Sequence, residues 1–291
     1  MWDNIVLSGF ADEIDPSLDE QIRVLKKLGM NHIEMRGVNG KGLVEYTLEE
    51  AKEIKKRLDA EGFALSSVGS PIGKIKITDD FEPHMELYKH TVDLAHLMEA
   101  KYIRMFSFFM PEGCEDYSPY KDEVMARLGK FVDYAKANDI ILLHENEKDI
   151  YGDVASRCLE IQKNFYCDHF KAVFDFANFV QCKQDTLEAY EMMKPYVEYI
   201  HIKDARWDDA SVVPPGTGDG HVAEILAKFK AAGYQGYLSL EPHLADFAGF
   251  AALEMNASQK KKLGGEEAFT LAHDSLVKII EIGRASCRER V

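Results

Sequence analysis

The sequence predicts an α/β fold of the (β/α)8 barrel class in a single domain, and three observations carry that prediction. Short β-rich runs alternate with amphipathic helical patterns along the whole chain, there are eight such runs, and no Gly-, Ser- or Pro-rich linker divides the 291 residues. The runs start at Asn4, His32, Phe63, Tyr102, Ile140, Ala172, Glu198 and Tyr237, roughly 26 to 40 residues apart. That spacing suits one strand, one loop and one helix per unit, and ~250 residues is the usual size of such a barrel. A doubly wound open sheet is the competitor, but no run is followed by a Gly-rich dinucleotide fingerprint.

Each element has its own signal. After the first run, NIVLSGF, the stretch DPSLDEQIRVLKKLG predicts a helix with Asp15 as N-cap and Pro16 as its first residue. Leu18, Ile22, Leu25 and Leu28 form its buried face, and Gly29 ends it. The second run, HIEMRG, leads into TLEEAKEIKKRLDAEG, where Thr47 and Glu50 make a capping box and Gly62 is the stop. Lys55, Lys56 and Arg57 are expected to face solvent. The third and fourth runs, FALSSVGS and YIRMFSF, precede further helical patterns whose histidines, at 84, 90 and 96, read as structural, as does His32. The fifth to eighth, IILLHE, AVFDFA, EYIHIKD and YLSLEPH, all carry polar groups to their ends. The one Gly-dense loop, PPGTGDGHV, follows the seventh and is expected to be a turn and helix cap, with Asp219 opposing any phosphate at the next helix.

Bulk properties narrow the function classes. With 46% apolar residues the chain can bury a full core, and its formal charge of −15 disfavours nucleic acid, which needs a cationic surface. No apolar run reaches the ~18 residues of a membrane span, and MWDNIVLSGFADEID lacks the pattern of a secretory leader. The 5 cysteines are scattered with no CxxC pair, which points to free thiols in a reducing, cytoplasmic compartment. The closing EIGRASCRERV breaks the amphipathic pattern with a cationic string that resembles translated sequencing adapter. Residues 281–291 are therefore read as a non-native, structureless tail, and 1–280 as the barrel.

In a barrel of this kind the C-terminal ends of the strands converge on one face. There the fifth run brings Glu145, the sixth Asp175 with Asn178 after it, the seventh His201, Lys203 and Asp204, and the eighth Glu241 and His243. Polar groups in a core cost desolvation energy unless they are paired. Three carboxylates gathered in one mouth would repel one another unless a cation held them, so Glu145, Asp175, His201 and Glu241 call for one divalent metal ion. Three oxygens and one imidazole nitrogen favour Mn²⁺ or Mg²⁺, with Co²⁺ or Zn²⁺ as alternatives. Lys203, Arg206, Asn178, His243, Glu34, Arg36 and Lys74 are candidate substrate contacts. Phe10, Phe106 and Trp207 are among the aromatics that could stack on a sugar.

The pieces LLHEN, VFDFANF, YIHIKDA, GTGDG and GYLSLEPH, with LSGFADEI near the start, resemble the xylose isomerase-like barrels of the sugar phosphate isomerase/epimerase group. That group includes ketose 3-epimerases, hydroxypyruvate isomerase and inosose dehydratase. The resemblance implies a metal held by Glu145, Asp175, His201 and Glu241. It also implies that Glu145 and Glu241 form an acid/base pair around the substrate carbon, working through a metal-stabilised ene-diolate of a small sugar or keto-sugar. Two departures stand out: Asn178 replaces the histidine of the epimerases' Asp-x-x-His, and Trp207 stands where they place an arginine. HIKDAR instead resembles inosose dehydratases, which makes a metal-dependent lyase the alternative. A metal-dependent endonuclease and a non-catalytic sugar-binding barrel are the remaining readings. A homo-oligomer is left open.

Overall fold

A computed structural model describes residues 4–245 and 263–288. Eight parallel strands build the barrel: β1 (Ile5–Gly9), β2 (His32–Met35), β3 (Ala64–Ile72), β4 (Tyr102–Met105), β5 (Ile141–His144), β6 (Phe170–Asp175), β7 (Val197–Ile202) and β8 (Gly236–Leu240). Their order in the sheet is β1-β8-β7-β6-β5-β4-β3-β2, and β1 and β2, the two ends of the ladder, lie side by side and nearly close it. All eight coincide with the runs read from the sequence. The helices between them are α1 (Leu18–Lys27), α2 (Leu48–Glu61), α3 (Glu82–Leu97), α4 (Lys121–Ala137), α5 (Ala155–Phe165), α6 (Phe176–Gln181), α7 (Thr186–Met193), α8 (Val222–Ala231) and α9 (Gly265–Arg288). Among the described residues no helix is long and apolar enough to cross a membrane.

Strand alternation divides the core in two. Side chains pointing outward, such as Leu142, Phe174 and Ile200, join the large cluster under the helices. Those pointing inward fill the barrel with Ile141, Leu143, Val173 and Tyr199, flanked by Tyr102 and Tyr237. Continuing that inward parity by one step past the apolar layer brings Glu145, Asp175, His201 and Glu241 to the C-terminal mouth. Asp175 pairs with His201 across β6 and β7, and Ser239 pairs with His201 across β7 and β8, so Glu241 follows two residues further along the chain.

Some local expectations change. The N-cap of α1 is Ser17, not Asp15, and Pro16 lies before the helix; Asp15 instead accepts the Ser17 amide at 2.8 Å. Pro16 thus directs the chain into the cap rather than occupying the first turn. The capping box of Thr47 and Glu50 forms on α2, and Gly62 ends it in the left-handed region at φ 72°. The final helix does not break at Glu281: α9 continues through Arg288, because its last residues keep helical backbone despite their polar composition. Residues 289–291 of the expected tail lie outside the described residues. At its other end α9 docks on the start of the chain, where Phe269 leaves no room for a side chain at Gly9 and Glu266 pairs with Arg23 and Lys27.

Candidate metal centre and acid–base site

Four side chains from four consecutive strands meet at the mouth. One ligand atom each from Glu145, Asp175, His201 and Glu241 lie within 4.8 Å of one another, and all four residues are buried. His201 Nδ1 is the hub, 2.8 Å from Glu145 Oε1, 3.8 Å from Glu241 Oε2 and 3.9 Å from Asp175 Oδ2. Asp175 divides its carboxylate. Its Oδ1 caps α6 by accepting the Asn178 amide at 2.7 Å, while Oδ2 is buried without a hydrogen-bond partner, 3.3 Å from Lys203 Nζ. An orphaned buried oxygen beside two further carboxylates and an imidazole is a hard, oxygen-rich donor set, which fits a divalent cation.

Burial and mutual charge compete within this cluster. Burial drives the Asp175 carboxyl up to about 7, and Glu145 and Glu241 add to that shift against Lys203 and His201. Burial also opposes charge on Glu145 and Glu241. The positive charge of His201 and Arg104 nevertheless holds Glu145 below its usual range, and Lys203, His243 and His201 hold Glu241 well below. For His201, burial disfavours the imidazolium, but the charges of Glu145 and Glu34 outweigh it and raise the pKa well above the ordinary value. Burial and mutual repulsion both penalise the three carboxylates, and a dication bound among them would offset both.

Around this centre the predicted contacts sort themselves. Lys203 is buried, 3.0 Å from Glu241 Oε2. Asn178 points its amide at Glu145 Oε1 at 3.4 Å and at the Asn146 carbonyl at 2.9 Å. Arg36 donates to Asp12 at 2.8 Å and to Glu241 Oε1 at 3.2 Å. His243 donates its backbone amide to Glu13 at 2.7 Å and places Nε2 3.5 Å from Glu241 Oε1. Lys74 pairs with Glu147 at 3.2 Å and lies over the Phe106 ring. Glu34 sits beneath His201, its Oε2 3.1 Å from Nε2. Arg206 and Trp207 are exposed on the hairpin after β7, and no described contact joins either to the cluster.

Other members escaped the sequence reading. Arg104 sends Nη1 to within 3.3 Å of Glu145 Oε2 and 3.6 Å of Glu241 Oε1, with its guanidinium over Phe10 and Phe106. Its signal was a charge at an inward position of the otherwise apolar run YIRMFSF. Glu13, buried on the turn Ala11–Glu13, joins Glu241 and His243 in a second cluster whose ligand atoms also lie within 4.8 Å of one another. The Gly-rich loop is a turn, but the anion it serves is internal. The amides of Gly216, Gly218 and Gly220 donate to the Asp204 carboxylate at 2.8, 2.9 and 2.9 Å. No side-chain cap forms on α8, whose N-cap is His221.

Comparison with known proteins agrees with this architecture. A family model described as xylose isomerase-like TIM barrel matches residues 22–263. Among solved structures, a D-tagatose 3-epimerase-like protein superposes with a TM-score of 0.73 at 17% identity, covering 98% of this chain and 99% of its own. The probable 3-DHS dehydratase AsbF of Bacillus anthracis gives 0.71 at 15%, covering 94% and 98%. A xylose isomerase-like TIM barrel protein of Mycobacterium smegmatis in complex with magnesium gives 0.65 at 20%, covering 94% and 97%. At such identities these likenesses show the fold. A search of curated protein sequences finds no match.

Proposed function

The chain belongs to the xylose isomerase-like TIM barrel family, and from that premise we propose that it is a divalent-metal-dependent sugar isomerase or epimerase. The observation that carries the proposal is how the two buried glutamates divide their oxygens. Glu145 turns Oε1 to His201 and Oε2 to Arg104, and Glu241 turns Oε2 to Lys203 and Oε1 to Arg36. Each therefore offers one oxygen to the cluster and keeps a second on the side where Arg104 bridges the pair.

Glu145, Asp175, His201 and Glu241 would hold the cation, with Mn²⁺ or Mg²⁺ favoured over Co²⁺ or Zn²⁺. When bound, it supplies a Lewis acid that polarises a substrate carbonyl and offsets the charge developing on its oxygen. Proton transfer falls to the two glutamates: one removes the hydrogen from the carbon beside the carbonyl, and the other returns a proton. Return to the opposite face gives an epimer, and return to the neighbouring carbon an isomer. Phe10 and Phe106, both fully buried under Arg104, keep water from the back of the site. The substrate class is a small sugar or keto-sugar. The described cysteines are free, which supports a reducing, cytoplasmic setting.

One observation favours a second reading. Lys203 Nζ is buried beside Glu241, a donor able to protonate a hydroxyl that leaves from the carbon β to the carbonyl. Loss of the α-hydrogen and that hydroxyl forms a carbon–carbon double bond and water, a dehydratase outcome. Both readings share the first step, so one experiment tests them. Metal-reconstituted protein is incubated in D₂O with a panel of ketoses and keto-inositols and followed by NMR. Deuterium should enter beside the carbonyl, and Glu145→Gln and Glu241→Gln should each slow entry by about a hundredfold or more while remaining folded. An unsaturated product selects the lyase. Near-normal exchange in either variant defeats the acid/base assignment.

A further inference from the structure

Beneath the acid cluster, a chain of buried hydroxyls runs beside the apolar layer of the barrel interior. Ser8 Oγ lies 2.6 Å from Ser66 Oγ, which lies 2.8 Å from the Tyr199 hydroxyl. Tyr199 reaches Ser239 and Glu34 in turn. The Ser239 hydroxyl donates to Glu34 Oε2 at 2.6 Å, and that same oxygen stands 3.1 Å from His201 Nε2. None of these six residues is more than 1% exposed, and they come from five strands, β1, β2, β3, β7 and β8. The Ser239 and His201 contacts both fall on Glu34 Oε2 while Oε1 has no hydrogen-bond partner, so the carboxylate's interactions concentrate on the side facing the imidazole.

The two nitrogens of that ring have different surroundings. Nδ1 faces Glu145, Glu241 and Asp175, while Nε2 faces Glu34. Nε2 is turned to a carboxylate, which when ionised can only accept, so that nitrogen keeps its hydrogen, and Nδ1 is the one that would give up its own to coordinate. We propose that Glu34 is a positioning residue: it keeps the hydrogen on His201 Nε2, fixes Nδ1 as the nitrogen presented to a divalent cation, and so sets the cation affinity. Ser239 and the chain from Ser8 through Tyr199 hold Glu34 in turn. The sequence placed Glu34 among substrate contacts; this geometry gives it a task beneath the metal centre. The inference rests on the proposed metal site but not on the reaction. Carboxylate partners of this kind orient ligating imidazoles and raise their basicity.

The test uses the full chain. Mn²⁺ affinity is measured by competition with a chelator, and two-bond ¹H–¹⁵N spectra of the histidine rings are recorded with and without Zn²⁺. In the wild type, Zn²⁺ should shift His201 Nδ1 and leave the hydrogen on Nε2. Glu34→Gln should weaken Mn²⁺ binding about 10- to 100-fold and move the Nε2–H resonance. Ser239→Ala, which leaves the carboxylate in place, should weaken binding several-fold and move the same resonance. Wild-type affinity in folded Glu34→Gln, or coordination through Nε2, overturns the inference. If Glu34→Gln does not fold, unchanged affinity and an unmoved resonance in Ser239→Ala overturn it instead. A wild-type chain that takes up neither ion sinks both this inference and the proposed function. A chain that binds and responds as expected but exchanges no substrate hydrogen sinks the reaction alone.

Discussion

Asp175 shows how one side chain can serve the backbone and the site together. Its Oδ1 caps α6 while its Oδ2 faces the cluster, and asparagine is as good a cap as aspartate. Asp175→Asn should therefore fold normally yet lose the rise in melting temperature that Mn²⁺ gives the wild type, read by thermal melts with and without the ion. His84 offers a test of a different kind, away from the mouth. Its Nε2 accepts the Gly73 amide at 2.7 Å. Gly73 sits at φ 88°, where a Cβ would strike the Phe106 carbonyl. Burial, with Arg127 nearby, pushes the His84 pKa down to about 4. The unfolded chain then binds more protons than the folded one between about pH 6.5 and 4. The stability from the neutral ring is complete above that window and is lost as pH falls through it. After allowance for partial solvent screening, urea melts should lose about 1–2 kcal/mol from this group between pH 7 and 4. His84→Gln should flatten that part of the profile.

At the scale of elements, the loop between β7 and α8 is built around one carboxylate. Asp204 accepts from Ala205, Gly216, Gly218 and Gly220, and a Cβ at Gly218 would lie 2.6 Å from its Oδ1. Asp204→Ala would leave those amides without their acceptor and should cost about 2–4 kcal/mol, and Gly218→Ala should also lower the melting temperature. Both are checked by thermal denaturation. The sequence made the strands legible, since each β-rich run is a strand and inward parity carries Glu145, Asp175, His201 and Glu241 to one rim. What it hid are contacts between residues distant in the chain. Arg104 looks like an isolated charge until the barrel curves it onto Glu145 and Glu241. Glu34 looks like a rim residue until β7 brings His201 above it. The glycine loop reads as a turn, and only three dimensions reveal that its amides converge on Asp204. The cap falls on Ser17 rather than Asp15 because the Asp15 carboxylate accepts the Ser17 amide ahead of the helix, a turn that the sequence pattern does not distinguish from a cap.

At the scale of the molecule, a dication bound only by the folded barrel must stabilise it. At a hundredfold excess over Kd the gain is about 2.7 kcal/mol, roughly 4–5 °C for a chain of this size. Scanning calorimetry should show that rise with Mn²⁺ and lose it with EDTA. We propose that residues 281–291 lie outside the barrel proper, because the cationic string EIGRASCRERV breaks the amphipathic pattern that runs up to Ile280. A chain ending at 280 should melt within about 2 °C of the full one. The ladder that joins Ile5–Gly9 to Gly236–Leu240 has a further consequence, for biosynthesis. The ribosome releases β1 long before its partner exists; at ~5–20 residues per second the wait is on the order of 10–50 s. Throughout that interval the nascent sheet has open hydrogen-bonding edges, so crowded translation, rather than the finished barrel's stability, sets its exposure to aggregation.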